Sequence, residues 1–574
     1  MRCPALLALT ILICVVPLLI SLGRPGPQHN MEGLALLSAQ ETWTRQRQGE
    51  ADAWLIPTQN GEIRVRKPPM LVWIDMLAWS ELDPRTSHWH EIIWRARLVT
   101  VTLSVVMMLA TFWIGRTLGQ TPTSGNEPIQ ESASCFAMGD HNALGLLATM
   151  IMGSMLLVQQ QARMASYDMH LAAWATLSVA AAIWALQTQR WSGWLLAAIA
   201  LSLSWMSKGP LALFLFCGPV ATHVLLFSRR RMSHILAIIG CLALAAALVS
   251  PWYAYLFLQK PTAWKTTWNE IGAQLTNHQP IYFYPLELLK LALPWTLWVL
   301  VGLAQPLITK NVAARRRQLV PWIWFMTLLI GFSISRGKAS RYILPIAPAM
   351  ALMAALVWHE HASMAARGLR DSGAKLVAGL HWAVLLLVSI FLGPFLAMQQ
   401  LLADSKFLNG IVGGVLGSQE AIWLTLALVT VAVAGLAAQW RGRLVYSAMI
   451  TCIWMSIASA VYWHLEARSS KRMDLYEAAA ADVTSAVGEA PLGYLRSKYE
   501  DQPDYSFLFF LRRIVEPVKS NRLDDFAGSS GQAFVIAEST GENTARMREA
   551  EYQPLFDFQD SSEHHRTLWR AGNR

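Results

Sequence analysis

Charge is scarce in this chain. Of its 574 residues, 15% are Asp, Glu, Lys or Arg, against 54% hydrophobic. A soluble protein of this length carries about a quarter charged residues, which excludes a water-soluble globular fold. Cysteine is scarce too. The six are Cys3, Cys14, Cys135, Cys217, Cys241 and Cys452; most lie in or beside apolar runs and the C-terminal tail has none. No disulfide framework is implied. The sequence has no GxGxxG and no GxxxxGK[ST] loop, and no internal repeat of the transporter kind. No small-x-small cleavage site follows the first apolar run, since Arg24-Pro25 comes next, so residues 1–22 read as an uncleaved first span.

What the chain has is long apolar runs. About thirteen are long enough to span a bilayer, near 4–22, 93–115, 141–160, 168–187, 193–208, 210–228, 234–256, 285–306, 319–335, 341–358, 376–398, 420–438 and 444–463. The expected fold class is an α-helical polytopic membrane protein with a small C-terminal α/β soluble domain. Basic clusters fall two spans apart: Arg229-Arg230-Arg231, Arg315-Arg316-Arg317, Arg367 with Arg370 and Lys375, and Arg441 with Arg443. By the positive-inside rule that side is cytoplasmic, which puts the N-terminus inside and the tail outside. The net charge of +10 is therefore an orientation signal and not a nucleic-acid footprint. The 26 Trp fit aromatic belts at both interfaces.

The expected domains are a membrane domain over 1–463, with outer loops at 23–92 and 257–284, and a soluble outer domain over 464–574. In the tail, charged residues become frequent. Strand-like runs appear at Leu492–Leu495, Ser506–Leu511 and Ala533–Glu538 after a helix-like Asp474–Val487. Five cations break the positive-inside pattern by lying outside: Lys67, Lys208, Arg336, Lys338 and Arg341. Charge at membrane depth is costly and tends to mark function, here an anion site at the outer leaflet. Lys67 precedes Pro68-Pro69, which bias the chain there toward extended backbone. The plainer reading of each cation is interfacial snorkelling.

The order of short motifs resembles the GT-C class of integral-membrane glycosyltransferases, in the branch that holds the aminoarabinose (lipid A) transferases and the protein O-mannosyltransferases. The motifs are Asn30-Met31-Glu32-Gly33, Trp54-Leu55-Ile56-Pro57 with Lys67-Pro68-Pro69, Arg97-Leu98, Tyr167-Asp168, Met206-Ser207-Lys208-Gly209 and Pro251-Trp252-Tyr253. They continue with Pro280-Ile281-Tyr282-Phe283-Tyr284-Pro285 and Pro294-Trp295, and end with Ser333-Ile334-Ser335-Arg336-Gly337-Lys338 through Tyr342-Ile343-Leu344-Pro345. The likeness covers roughly residues 1–360. One departure matters: the family's first motif is usually an acidic pair, and here Asn30 and Met31 stand beside a single acid, Glu32.

The resemblance implies transfer of a sugar from a polyprenyl-phosphate carrier at the outer face of a bacterial-type inner membrane. The acceptor is a lipid, glycan or protein, so lipopolysaccharide modification and protein mannosylation-like chemistry are both in scope. Glu32 takes the role of general base, with Asn30 as the alternative holder of that position. Asp168 positions the acceptor or the sugar, and a helix cap is its plainer reading. Lys67, Lys208, Arg336, Lys338 and Arg341 are candidate donor-phosphate ligands, Arg as a planar fork and Lys as a point charge. Tyr282, Tyr284 and His278 line the substrate. No cofactor is required; a divalent metal near Glu270 and His278 is the alternative left open. Membrane lipids are expected partners and nucleic acid is not. The rival functions are a transporter or flippase, expected to show paired broken helices or inverted repeats, and an inactive scaffold homologue.

Overall fold

A computed structural model describes residues 3–24, 26–27, 30–120, 141–265, 279–335, 337–366, 372–398, 417–468, 471–496, 504–528, 532–559 and 565–572. The chain forms two compact units. The first holds residues 1–20, 100–163 and 167–465; the second holds 21–99, 164–166 and 466–574.

The first unit is helical. Eight described helices are long and apolar enough to cross a membrane: Trp89–Gln120, Tyr167–Thr188, Arg231–Gln259, Val312–Ile334, Ser340–Ala362, Ser372–Leu396, Gln419–Trp440 and Leu444–Arg468. Cys3–Leu19, Asn142–Gly153, Leu211–Phe227 and Thr296–Ile308 are shorter and apolar. All thirteen expected spans fall on helices, but two are broken. The 141–160 span divides into His141–Gly153 and Leu156–Gln161, and the 285–306 span into Phe283–Leu291 and Thr296–Ile308. Pro294, with no N–H to donate, stands in the second break. The two breaks meet: Leu156 N donates to Leu293 O at 2.9 Å, and Trp295 Nε1 donates to Ser154 Oγ at 2.9 Å. Backbone groups freed at each break are thus satisfied by the other, as a bilayer requires. Paired broken helices are one of the two features expected of a transporter; the other, an internal repeat, is not seen in the sequence. No two described cysteines are bridged.

The second unit corrects the expected domain boundary. Residues 23–92, expected as an outer loop of the membrane domain, share one apolar core with the tail. Leu36, Leu37, Val72, Trp79, Ile92 and Ile93 pack in the same buried cluster as Tyr476, Phe507, Phe509, Phe510, Ile536 and Leu568. Helix Asn30–Arg47 is buried almost throughout its first three turns, which no solvated loop would be. The tail contributes helix Lys471–Val487 and a five-stranded sheet. Its order is Glu516–Lys519, Leu492–Arg496, Phe534–Glu538, His565–Ala571, Tyr552–Gln559; the first three are parallel and the last two pairings antiparallel.

The run Ser506–Leu511, expected as a strand, is part of a helix, Tyr505–Phe510. The Asp504 carboxylate accepts from the backbone N–H of Ser506 and Phe507 and starts the turn, and the phenylalanines enter the core. Burial overrides β propensity here. This helix lies against helix Asn30–Arg47 so closely that a Cβ on Gly33 would stand 2.6 Å from Ser506 N. Gly33→Ala is expected to destabilise the protein by about 1–3 kcal/mol through overpacking, read as a lowered melting temperature in detergent. An unchanged melting temperature would mean that this packing is looser than described.

Candidate active site

In the first unit, the site is built by a helical hairpin. Helices Tyr167–Thr188 and Trp191–Lys208 are joined by two residues, so the start of the first returns beside the end of the second. Asp168 lies in the first helix's opening turn, where an anion is favoured, and Lys208 is the second helix's last residue, where a cation is favoured. Gly209, at φ +86°, ends that helix in a conformation other residues resist. Lys208 Nζ is ion-paired to Asp168 Oδ1. Arg341, on the 3-10 turn Ser340–Ile346, brings its Nε to 3.5 Å from Asp168 Oδ2. The three side chains are 5%, 10% and 16% exposed for Asp168, Lys208 and Arg341. One carboxylate thus faces two cations, leaving a formal charge of +1.

Tyr342 lies beneath both cations. Its ring centroid is 4.0 Å from Lys208 Nζ and 5.2 Å from Arg341 Cζ. Tyr284 is buried, accepts from Ala339 N at 3.2 Å through its hydroxyl, and is within electrostatic reach of Asp168, Arg341 and Tyr342. Lys338 Nζ donates to Gln279 O at 2.9 Å, and Tyr282 is exposed. Asp168, Lys208, Arg341 and Tyr284 are therefore brought together. Arg336, His278 and Glu270 lie outside the described residues. Tyr342 was missed as a site residue. Its signal was present, since it directly follows Arg341 in the last motif.

In the second unit, Glu32 is wholly buried and not on a loop. Arg97 Nε donates to its Oε1 at 2.8 Å and Arg97 Nη2 to its Oε2 at 2.9 Å, while Ala165 N donates to Oε1 at 2.9 Å. The same guanidinium reaches Leu22 O and Gly26 O at 2.9 and 2.7 Å. Asn30, the alternative acidic position, accepts from Tyr505 N through its side chain at 2.8 Å. Both first-motif side chains are thus engaged in holding the unit together.

Lys67 is half-buried. The chain bends at Arg66 and Lys67 and enters helix Met70–Ala78 directly after the prolines, where extended backbone was expected. Pro69, at φ −81° and ψ 6°, already stands at the helix cap. Nearby, Glu41 accepts from Thr58 Oγ1, Asn60 N and Gly61 N, and so grips the Asn60-Gly61 turn of the hairpin Thr58–Gln59/Glu62–Ile63. Among the described residues, no group of three or more His, Cys, Asp or Glu could hold a metal.

A family model described as dolichyl-phosphate-mannose-protein mannosyltransferase matches residues 140–255. Among curated relatives, undecaprenyl phosphate-alpha-4-amino-4-deoxy-L-arabinose arabinosyl transferase 1 of Sodalis glossinidius is 31% identical over 38% of this chain and 40% of its own length. The corresponding transferase 2 of Pseudomonas fluorescens is 29% identical over 35% of this chain and 38% of its own length. The aligned stretch thus spans less than half of these relatives. A crystal structure of ArnT from Cupriavidus metallidurans bound to undecaprenyl phosphate superposes with a TM-score of 0.70 at 15% identity, covering 99% of both chains. That likeness fixes the class by fold: a multi-pass membrane protein with the GT-C architecture and a small sheet-containing C-terminal part. Within that class, the family resemblance drawn from the motifs is shown, to the aminoarabinose transferases and the protein mannosyltransferases.

Proposed function

We propose that the protein transfers a sugar from a polyprenyl-phosphate-linked donor to a lipid, glycan or protein acceptor at the outer face of the inner membrane. The observation that carries this reading is the Asp168 carboxylate shared by Lys208 and Arg341 at the ends of helices in the first unit. Two cations against one carboxylate suit a phosphate leaving group, whose developing charge they stabilise. Asp168 holds both in place and faces the sugar or the acceptor hydroxyl. The names of the similar transferases supply the donor class. On this reading the N-terminus is cytoplasmic, Lys67, Arg336, Lys338, Tyr282, Tyr284 and His278 complete the donor site, and no metal or cofactor is called for.

The experiment is donor binding and turnover with purified protein in nanodiscs. A polyprenyl-phosphate sugar is used as donor and a nucleotide sugar is ignored. Lys67→Met and Lys338→Met each weaken binding of the lipid donor roughly ten- to a hundredfold, as loss of a charge-assisted contact worth about 1.5–3 kcal/mol requires. Robust turnover of a nucleotide sugar, or intact donor binding in both variants, overturns the site.

A second reading, an inactive homologue, is favoured by one observation: Glu32 bonds to Arg97 and Ala165, and Asn30 to Tyr505, contacts that hold the second unit together. Absence of any glycosylated product from wild-type protein, across lipid, glycan and peptide acceptors, decides for it.

A further inference from the structure

The second unit contains a carboxyl group that the reading above does not use. Asp75 sits in helix Met70–Ala78, MLVWIDMLA, and is that helix's one charged residue. Its side chain is wholly buried, and neither Oδ1 nor Oδ2 has a hydrogen-bond partner among the described residues. An ionised carboxylate in such a place lacks both water and donors, which costs several kcal/mol.

The charged groups around it make ionisation harder still. Helix Asn30–Arg47 packs on this helix and brings Glu32, which is salt-bridged to Arg97, within electrostatic reach of Asp75. On helix Trp89–Gln120, the Arg97 guanidinium is turned to Glu32, Leu22 O and Gly26 O. Arg95 of the same helix donates to Ala78 O at 3.3 Å and is paired with Glu81 and Glu91. Burial first, and then the negative charge of Glu32, push the Asp75 carboxyl well above the usual carboxylate range.

We propose that Asp75 is a buried proton-binding site that governs the Glu32–Arg97 pair. As the neutral acid it leaves that pair closed; on ionisation it sets a second negative charge against Glu32, the carboxylate of that pair. Arg97 ties Leu22, Gly26 and Glu32 together, and Glu32 ties Ala165 to them. Losing the proton therefore loosens the point where three separate chain segments are joined. Asp75 is a positioning residue and touches no substrate in this scheme.

The sign follows from the raised value. The stabilisation is fully present below the unfolded carboxyl's value of about 4 and is lost as pH rises through the folded one. Asp75→Asn removes that dependence.

Full-length protein in nanodiscs is used for the test. Infrared spectroscopy of wild type at neutral pH shows a protonated-carboxyl C=O band, which fades on alkaline titration and is missing in Asp75→Asn. Melting temperature of the wild type falls from mildly acid to mildly alkaline pH, while the variant's curve is flatter and lies above it at the alkaline end. Absence of the band from wild type is decisive whether or not Asp75→Asn folds, and a second variant, Asp75→Ser, assigns the band where it is present. Three results overturn the proposal. One is a wild type with no such band. Another is a variant that melts lower throughout with the wild-type pH slope. The third is stabilisation of wild type, but not of Asp75→Asn, by added sodium or calcium, which would make Asp75 a cation ligand.

Discussion

Asp168→Asn lowers sugar transfer by on the order of a hundredfold or more while donor binding is kept or tightened. The substitution preserves shape and can still accept from Lys208, so the expected change is electrical. With the carboxylate gone, the half-sequestered Lys208 and Arg341 face each other with no shared anion, and the formal charge of the cluster rises from +1 to +2. A phosphate is attracted at least as strongly as before. What is lost is the group that fixes the two cations relative to the reacting centre, and removing one electrostatic partner of this kind costs roughly a hundred- to a thousandfold in turnover. The split between turnover and binding is the discriminating result. Turnover equal to wild type would remove Asp168 from the site, and an equal loss of binding would make it a mere fold element.

The second large effect falls on stability. Arg97→Met leaves Glu32 buried with no counter-charge and is expected to destabilise the protein by about 3–5 kcal/mol. That is enough to deplete the monodisperse peak in detergent size-exclusion and to lower the melting temperature of what remains. The double variant Glu32→Leu with Arg97→Met removes both charges and recovers much of the loss, because the main penalty in the single variant is the stranded carboxylate. Glu32→Gln belongs in the same series. A general base lost by this change lowers turnover in a protein that melts normally. The geometry instead predicts that turnover and melting temperature fall together. A normally melting Glu32→Gln with turnover lost restores the base role to Glu32.

The parts of the fold that were legible are those with a local signal. Thirteen apolar runs became helical residues because hydropathy over some twenty residues is decided by the bilayer and little else. Lys208 and Arg341 stand out for a related reason, as cations on the side that the positive-inside rule disfavours, while Asp168 is pointed to by the motif order alone. The misread parts depend on partners far away in sequence. Nothing in NMEGLALLSAQETW shows that its helix is covered by Phe507 and Phe510, nearly five hundred residues on. The burial of Glu32 is created by Arg97, Ala165 and that distant cover, none of them local in sequence. Asp75 carries no signal beyond being one acid in an apolar helix, and its meaning comes from its burial without a donor among the described residues. Tyr505–Phe510 has the composition of a strand, and only the Asp504 cap argued otherwise.

The second unit is assembled from residues 21–99, 164–166 and 466–574. During synthesis, its first segment leaves the ribosome some 367 residues before its last begins, counting from 99 to 466. At about 5–20 residues per second, that is a wait of roughly 20–70 seconds. Throughout that interval Leu36, Leu37, Val72 and Trp79 have emerged without the phenylalanines that will bury them. The first segment thus waits without its cover by construction, and a ribosome that stalls anywhere before the tail leaves that apolar surface open. Truncation from the C-terminus therefore harms the beginning of this protein as much as its end.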